Sequence, residues 1–303
     1  MEESALLAAI AKRSQDLGTR FPHVRTGPGD DCAAVRIGNV DCLLTVDQVI
    51  EGRHFRRGTP LDLIARKAVA RSVSDIAAMA GTPVCALATG AFPKGFPQAS
   101  ADELSASLKR WAEHWRCPLV GGDLASMARE SDPLVLTVTA IGTPHGVRGP
   151  VLRSGARPGD FLYVSGALGG SFEPATGLGR HLTFEPRIEL GRRLADLLGQ
   201  DLHAMMDISD GLGRDASRMA EASGVRLELE ASSLPFAAGV SHWKHAAGDG
   251  EDYELLFAAP GGIDTAGLPV PITRIGRVVE GNACVFLQGG RECPASELGW
   301  EHR

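Results

Sequence analysis

Thr26-Gly27-Pro28-Gly29-Asp30-Asp31-Cys32-Ala33-Ala34-Val35 places two adjacent carboxylates between a Gly-Pro-Gly turn and an apolar run with the composition of a strand. Neighbouring side chains on a strand point to opposite faces. Asp30 and Asp31 can therefore serve one site jointly only at the strand's start, where the backbone is still turning. Hard-cation ligands often sit at such a place, yet a lone Gly-Asp-Asp is more often a solvated surface turn. The choice depends on how many further acidic turns the chain holds.

Several follow. A second apolar run, Val40 to Asp47, lies beyond Gly38-Asn39 and reads with Cys32 to Ile37 as a hairpin. Its last residues put Thr45 and Asp47 on one face, a hydroxyl and a carboxylate able to share a ligand. A long helix is predicted from Thr59 to Gly81, with Thr59 as N-cap, Pro60 at its first position and Gly81 as its stop. Lys67, Arg71 and Asp75 recur four apart along it, either a solvated stripe of ion pairs or, for Asp75 amid small residues, a carboxylate in need of a partner. Gly121-Gly122-Asp123 ends a short predicted strand. Met206-Asp207-Ile208-Ser209-Asp210-Gly211 turns a strand into a helix, where capping accounts for only part of its polar side chains. Gly250-Glu251-Asp252-Tyr253-Glu254 opens another strand.

Length and composition bound what these acids can be for. With 303 residues the chain suits two domains of roughly 150 each. We place them at 1–145 and 146–303, the junction falling in the Gly-, Pro- and Arg-rich stretch from Thr143 to Gly159. Residues that are 44% hydrophobic and 22% charged describe a globular protein. The net charge of −6, the absence of a basic run and aromatics at 5% argue against nucleic acid as a partner. No apolar run has the length of a membrane span, and none follows a signal-peptide plan, so a cytoplasmic protein is expected. Six cysteines without CxxC spacing indicate neither a zinc site nor a disulfide scaffold.

Asp30, Asp31, Asp47, Asp75, Asp123, Asp207, Asp210, Glu251 and Asp252 all fall at predicted strand ends or helix edges. So many carboxylates gathered together could not all stay ionised without cations, and an oxygen-only ligand set with few histidines favours Mg²⁺ over zinc. A nucleoside triphosphate is the implied ligand. Neither GxxxxGK[ST] nor a kinase-type glycine loop is present, which leaves the phosphates to the metal.

Seven motifs in order carry a resemblance over nearly the whole chain: Gly29-Asp30-Asp31-Cys32-Ala33; Thr45-Val46-Asp47 with Glu51 and His54-Phe55; Lys67 through Ser74-Asp75-Ile76-Ala77-Ala78-Met79; Gly121-Gly122-Asp123; Arg153-Ser154-Gly155-Ala156 with Pro158-Gly159-Asp160; Asp207-Ile208-Ser209-Asp210-Gly211-Leu212; and Gly250-Glu251-Asp252-Tyr253-Glu254-Leu255. In these the chain resembles the thiamine-monophosphate kinase family, within the aminoimidazole-ribonucleotide-synthetase-like superfamily. The resemblance implies two α/β domains with mixed sheets, a homodimer formed by the first domain across a β-barrel-like interface, and ATP between the domains. It implies Asp30, Thr45, Asp47, Asp75, Asp123, Asp207 and Asp210 as ligands of several magnesium ions, with Asp31 in support. Gly122, Asp123, Arg153 and Ser209 would contact ATP, and His54, Glu251 and Trp300 thiamine monophosphate. The implied reaction gives thiamine diphosphate and ADP. Because the acceptor is already an anionic phosphate oxygen, no dedicated base is needed, and catalysis would be alignment and charge neutralisation.

Some positions depart from the family pattern. Val46 stands for Ser or Thr, Ser72 for Asn and Asp249 for Gly, while Trp300 takes the place of the aromatic residue that can cover the thiamine ring. Other ATP-dependent enzymes of the superfamily are rivals, namely selenophosphate synthetase and the hydrogenase-maturation type. The former wants a reactive Cys in a glycine-rich N-terminal segment and the latter a C-terminal Cys; neither is seen. A non-catalytic nucleotide-binding regulatory protein is the rival of another class, and the retained Asp47, Asp75, Asp123 and Asp210 argue against it.

Overall fold

Among residues 3–300, which the computed structural model describes, alternating apolar residues in the first half build one mixed sheet. Its strands are β1 (Val24–Thr26), β2 (Ala33–Ile37), β3 (Val40–Ile50), β4 (Thr82–Phe92), β5 (Leu119–Ser126) and β6 (Val135–Thr143), in the order β1-β2-β3-β6-β4-β5. β2 and β3 pair from Ile37 with Val40 onward, the hairpin predicted around Gly38-Asn39. Helices α1 (Glu3–Arg13) and α2 (Leu17–Arg20) precede the sheet, while α3 (Leu61–Ala78) and α4 (Gln98–His114) follow β3 and β4. Leu43, Leu136, Val138 and Ala140 face Ala65, Val69, Val73 and Ile76 in one core.

The second half forms another mixed sheet from β7 (Phe161–Ser165), β8 (Ala204–Asp207), β9 (Arg226–Glu230), β10 (Leu255–Ala259), β11 (Ile272–Val279), β12 (Ala283–Gln288) and β13 (Arg291–Pro294). Their order is β13-β12-β9-β11-β7-β10-β8. Helices α6 (Leu212–Ser223) and α7 (Trp243–Gly248) pack on one face, where Leu212, Met219, Trp243 and Phe286 share a core. The other face carries α5 (Ile188–Leu198) together with the end of α3: Ala78 and Ala80 join Leu190, Leu194, Met205 and Phe257 in a third core. α3 thus belongs to both halves. At its crossing with α5 a Cβ on Gly191 would lie 2.4 Å from the Ala77 carbonyl oxygen, so only glycine allows this approach.

Two local departures from expectation matter for the site. The helix stops at Ala78, before Gly81, because Ala80 takes the left-handed conformation (φ 56) and the Gly81 N–H returns to the Ile76 carbonyl at 2.8 Å. Gly121-Gly122-Asp123 is not a turn but the middle of β5. A Cβ on Gly122 would fall 1.8 Å from the Ala88 carbonyl oxygen of β4, which explains a glycine there without a ligand.

Candidate active site

The turn into β2, the last turn of α3 and the end of β8 each deliver one carboxylate to a common point. Oxygen atoms of Asp31, Asp75 and Asp207 all lie within 4.8 Å of one another. Short polar side chains orient them: Thr45 donates its hydroxyl hydrogen to Asp75, and Ser74 Oγ donates to Asp207 at 2.6 Å. Arg153 Nη2 donates to Asp31 at 2.6 Å. Burial pushes the carboxyls of Asp75 and Asp207 well above the usual range, and neighbouring acids push them further, Asp47 acting most on Asp75 and Asp31 most on Asp207. Asp31 Oδ2 is buried with no hydrogen-bond partner among the described residues. Three acids this close ionise together only if a cation neutralises them, and an all-oxygen set with an unsatisfied carboxylate oxygen fits a hard divalent ion such as Mg²⁺.

Asp30 turns the other way. Its carboxylate accepts the backbone N–H of Asp31 at 3.0 Å and that of Arg153 at 3.1 Å, tying the first domain's turn to the start of the second. Burial raises its pKa to about 7, with the charge of Asp31 adding to the effect. The member of the pair that faces Asp75 and Asp207 is therefore Asp31, while the Asp30 carboxylate meets backbone N–H groups. Adjacent side chains diverge at this turn, and only one of them can face the triad. The Arg153 side chain lies largely buried against both acids.

Next to the triad is a second buried group of charges. Lys67 is fully buried, and its Nζ donates to the His54 carbonyl at 2.8 Å and meets Glu251 Oε1 at 2.5 Å and His181 Nδ1 at 2.9 Å. Burial lowers the Lys67 pKa to about 8. Burial alone would raise Glu251, but the charge of Lys67, hydrogen bonds from His181 and Lys67, and the charge of Arg71 bring it down to about 2. Both are ionised at neutral pH. Arg71 continues the chain of charges, donating to Asp47 Oδ1 at 3.0 Å. The stripe at positions 67, 71 and 75 is thus an internal relay of charge between two clusters, not a solvated face.

A cavity of about 240 Å³ opens beside this network. His54, Ser209, Asp210, Glu251 and Trp300 line it together with Arg53, Arg71, Phe172 and Tyr253. The three residues expected to hold the acceptor substrate, far apart in sequence, share its wall. Asp210 pairs with Arg218 at 2.7 Å, and its backbone N–H donates to Asp215. Capping does not account for this turn, since the residue preceding α6 is Gly211 and no side chain caps the helix. Gly122 and Asp123 lie elsewhere, exposed on the edge strand β5. Gly122 shares a cross-strand row with Ala88, Val138 and Asp47, three strand spacings or about 14 Å from β3.

Comparison with known proteins reads this geometry. Residues 29–143 match the AIR synthase related protein N-terminal domain and residues 157–286 its C-terminal domain. A thiamine-monophosphate kinase of Rhodopirellula baltica is 36% identical over 302 residues, covering 91% of this chain and 89% of the relative. The chain belongs to the thiamine-monophosphate kinase family. Among solved structures of that family, AaThiL complexed with AMPPCP and TMP superposes with a TM-score of 0.83 at 30% identity, over 100% of this chain and 97% of that one. The hydrogenase maturation protein HypE in complex with ATP superposes with a TM-score of 0.70 at 18% identity, over 84% of each chain, a likeness of fold alone.

The contacts made by Lys67, Asp252 and Asp249 escape prediction from the sequence. The Lys67 ammonium joins His54 and Glu251 of the cavity wall to His181 behind it. Its signal is a cation flanked by the small and apolar Ala65, Ala68, Val69 and Ala70. Asp252 fastens the glycine-rich segment by accepting the Gly169 N–H at 3.0 Å and the Ser171 hydroxyl at 2.7 Å. Asp249, at a departure from the family pattern, accepts the Gly170 N–H at 2.9 Å and so has the same work. Ser72 donates to the Val138 carbonyl at 2.8 Å, serving the sheet and not Asp75.

Proposed function

We propose that the chain transfers the γ-phosphoryl group of ATP to the phosphate of thiamine monophosphate, giving thiamine diphosphate and ADP. One observation carries this: a single turn, residues 207–210, supplies Asp207 to the carboxylate triad and Ser209 and Asp210 to the cavity, so that a cation-binding point and an acceptor cavity adjoin. In the cavity Arg53 and Arg71 offer positive charge to a phosphate. Phe172 and Trp300 offer aromatic faces, and Glu251 and Asp210 negative charge, to a cationic ring. The acceptor oxygen is already anionic, and the chain needs no general base.

Asp31, Asp75 and Asp207 would hold magnesium, with Asp30, Thr45, Asp47, Asp123 and Asp210 as further oxygens about the triphosphate. Bound there, it would neutralise phosphate charge and align the in-line transfer. Gly122, Asp123, Arg153 and Ser209 are our candidates for contact with ATP, Gly122 and Asp123 from the β5 edge. We place the domain boundary at 145/146, within the stretch between β6 and β7. Exposed Val46, Val84, Leu87, Val120 and Leu124 on β3, β4 and β5 support a homodimer through the first domain. Six free cysteines accord with a cytoplasmic setting, and no helix among the described residues is long and apolar enough to cross a membrane.

Purified protein with Mg-ATP is expected to convert thiamine monophosphate to the diphosphate, followed by chromatography of the products. Asp47→Ala and Asp210→Ala are each expected to lose about two orders of magnitude or more in kcat. Turnover of selenide or an aminoimidazole precursor in place of thiamine monophosphate contradicts the assignment.

A further inference from the structure

The hydroxyl of Tyr253 is buried and has no hydrogen-bond partner among the described residues. Buried tyrosine hydroxyls ordinarily find a partner, because one left unpaired costs free energy. Its position is nonetheless closely fixed. The ring stacks on Phe184, with centroids 3.7 Å apart and planes inclined by 14°. The backbone sits in the left-handed region at φ 53, and its N–H donates to the Ile208 carbonyl at 2.8 Å. Glu251, also left-handed at φ 54, donates its N–H to the Ser209 carbonyl at 2.7 Å. Non-glycine residues in this region cost about 1 kcal/mol or more apiece, and two of them in three positions mark a loop whose shape the fold imposes. That shape aims the ring at the cavity, which Tyr253 lines with His54, Glu251 and Trp300. The side chains whose charges act on the hydroxyl are Arg71 and Glu251 of the cavity wall, Asp47, which pairs with Arg71, and Asp207 of the carboxylate triad. Tyr253 therefore stands where the cavity passes into the cation-binding point, and Arg71 gives that place its positive charge.

We propose that Tyr253 is a substrate-contacting residue whose hydroxyl donates a hydrogen bond to a phosphate oxygen of thiamine monophosphate, making with the ligand the bond that the protein leaves unmade. This rests on the substrate proposed for the site. Tyr253→Phe removes the hydroxyl and leaves the stacked ring. The variant is expected to lose about tenfold or more in kcat/KM for thiamine monophosphate, with KM for ATP within about twofold of wild type. Calorimetric affinity for thiamine monophosphate falls with it, while affinity for thiamine, which lacks the phosphate, is unchanged. Thermal unfolding of the ligand-free variant stays at the wild-type temperature or rises, because an unpaired buried hydroxyl has been removed. Unchanged kcat/KM, a loss shared by thiamine or confined to ATP, or a loss accompanied by a lower unfolding temperature overturns the inference while wild-type turnover leaves the proposed function standing. A wild type that neither binds nor turns over thiamine monophosphate overturns both.

Discussion

Two groups of buried charge lie side by side at the junction of the domains, and the chain treats them in opposite ways. Around Lys67 the charges balance internally: its ammonium meets Glu251, His181 and the His54 carbonyl, and Arg71 meets Asp47. Around Asp75 they do not. Asp31, Asp75 and Asp207 converge with hydroxyl donors from Thr45 and Ser74, and Arg153 is the cation in hydrogen-bond contact with the triad, through Asp31. A balanced cluster fixes structure, here the cavity wall, and an unbalanced one has the charge to take up an ion, as we propose for this triad. The same helix, α3, carries Lys67 in one cluster and Asp75 in the other, two turns apart, so each is placed relative to the other by backbone geometry.

The comparison breaks most strongly at Lys67. Lys67→Met leaves the buried Glu251 without its nearest cation and is expected to cost about 3–5 kcal/mol in urea unfolding. Adding Glu251→Gln to it is expected to restore most of that loss, which an unbalanced cluster would not allow. A smaller effect comes with acid. Glu251 has a folded pKa of about 2 against an ordinary 4.5, so its stabilising contribution is fully present above 4.5 and is lost as pH falls through 2. The stability advantage of wild type over Glu251→Gln, about 2–3 kcal/mol at neutral pH, should therefore shrink across that window in unfolding curves taken at successive pH values.

Much of this arrangement is legible in the sequence, and what is not follows from contacts between distant segments. The hairpin about Gly38-Asn39 and the strand-to-helix turn at 207–211 are set by local pattern and turn chemistry, and they appear where that pattern puts them. Gly121-Gly122-Asp123 reads as a turn because glycines usually mark one; here the pair lets β5 lie close against β4. The Gly-Asp-Asp turn announces carboxylates at a site, but which of Asp30 and Asp31 faces Asp75 and Asp207 depends on Arg153, from the other domain. Burial of Lys67 is hidden for the same reason, since its partners come from residues 54, 181 and 251. The unpaired Tyr253 hydroxyl becomes visible only when every neighbour is in place.

The unbalanced cluster meets its most direct test in a comparison of unfolding temperatures in Mg²⁺ and in EDTA, for wild type and Asp75→Asn without nucleotide. Wild type should gain stability with Mg²⁺ in a concentration-dependent way. Asp75→Asn should lose most of that gain and, in EDTA, unfold at or above the wild-type temperature, because one of three crowded acids has been neutralised. A wild type indifferent to Mg²⁺, or an Asp75→Asn variant that gains as much from it, would contradict the assignment of Asp31, Asp75 and Asp207 as a cation site.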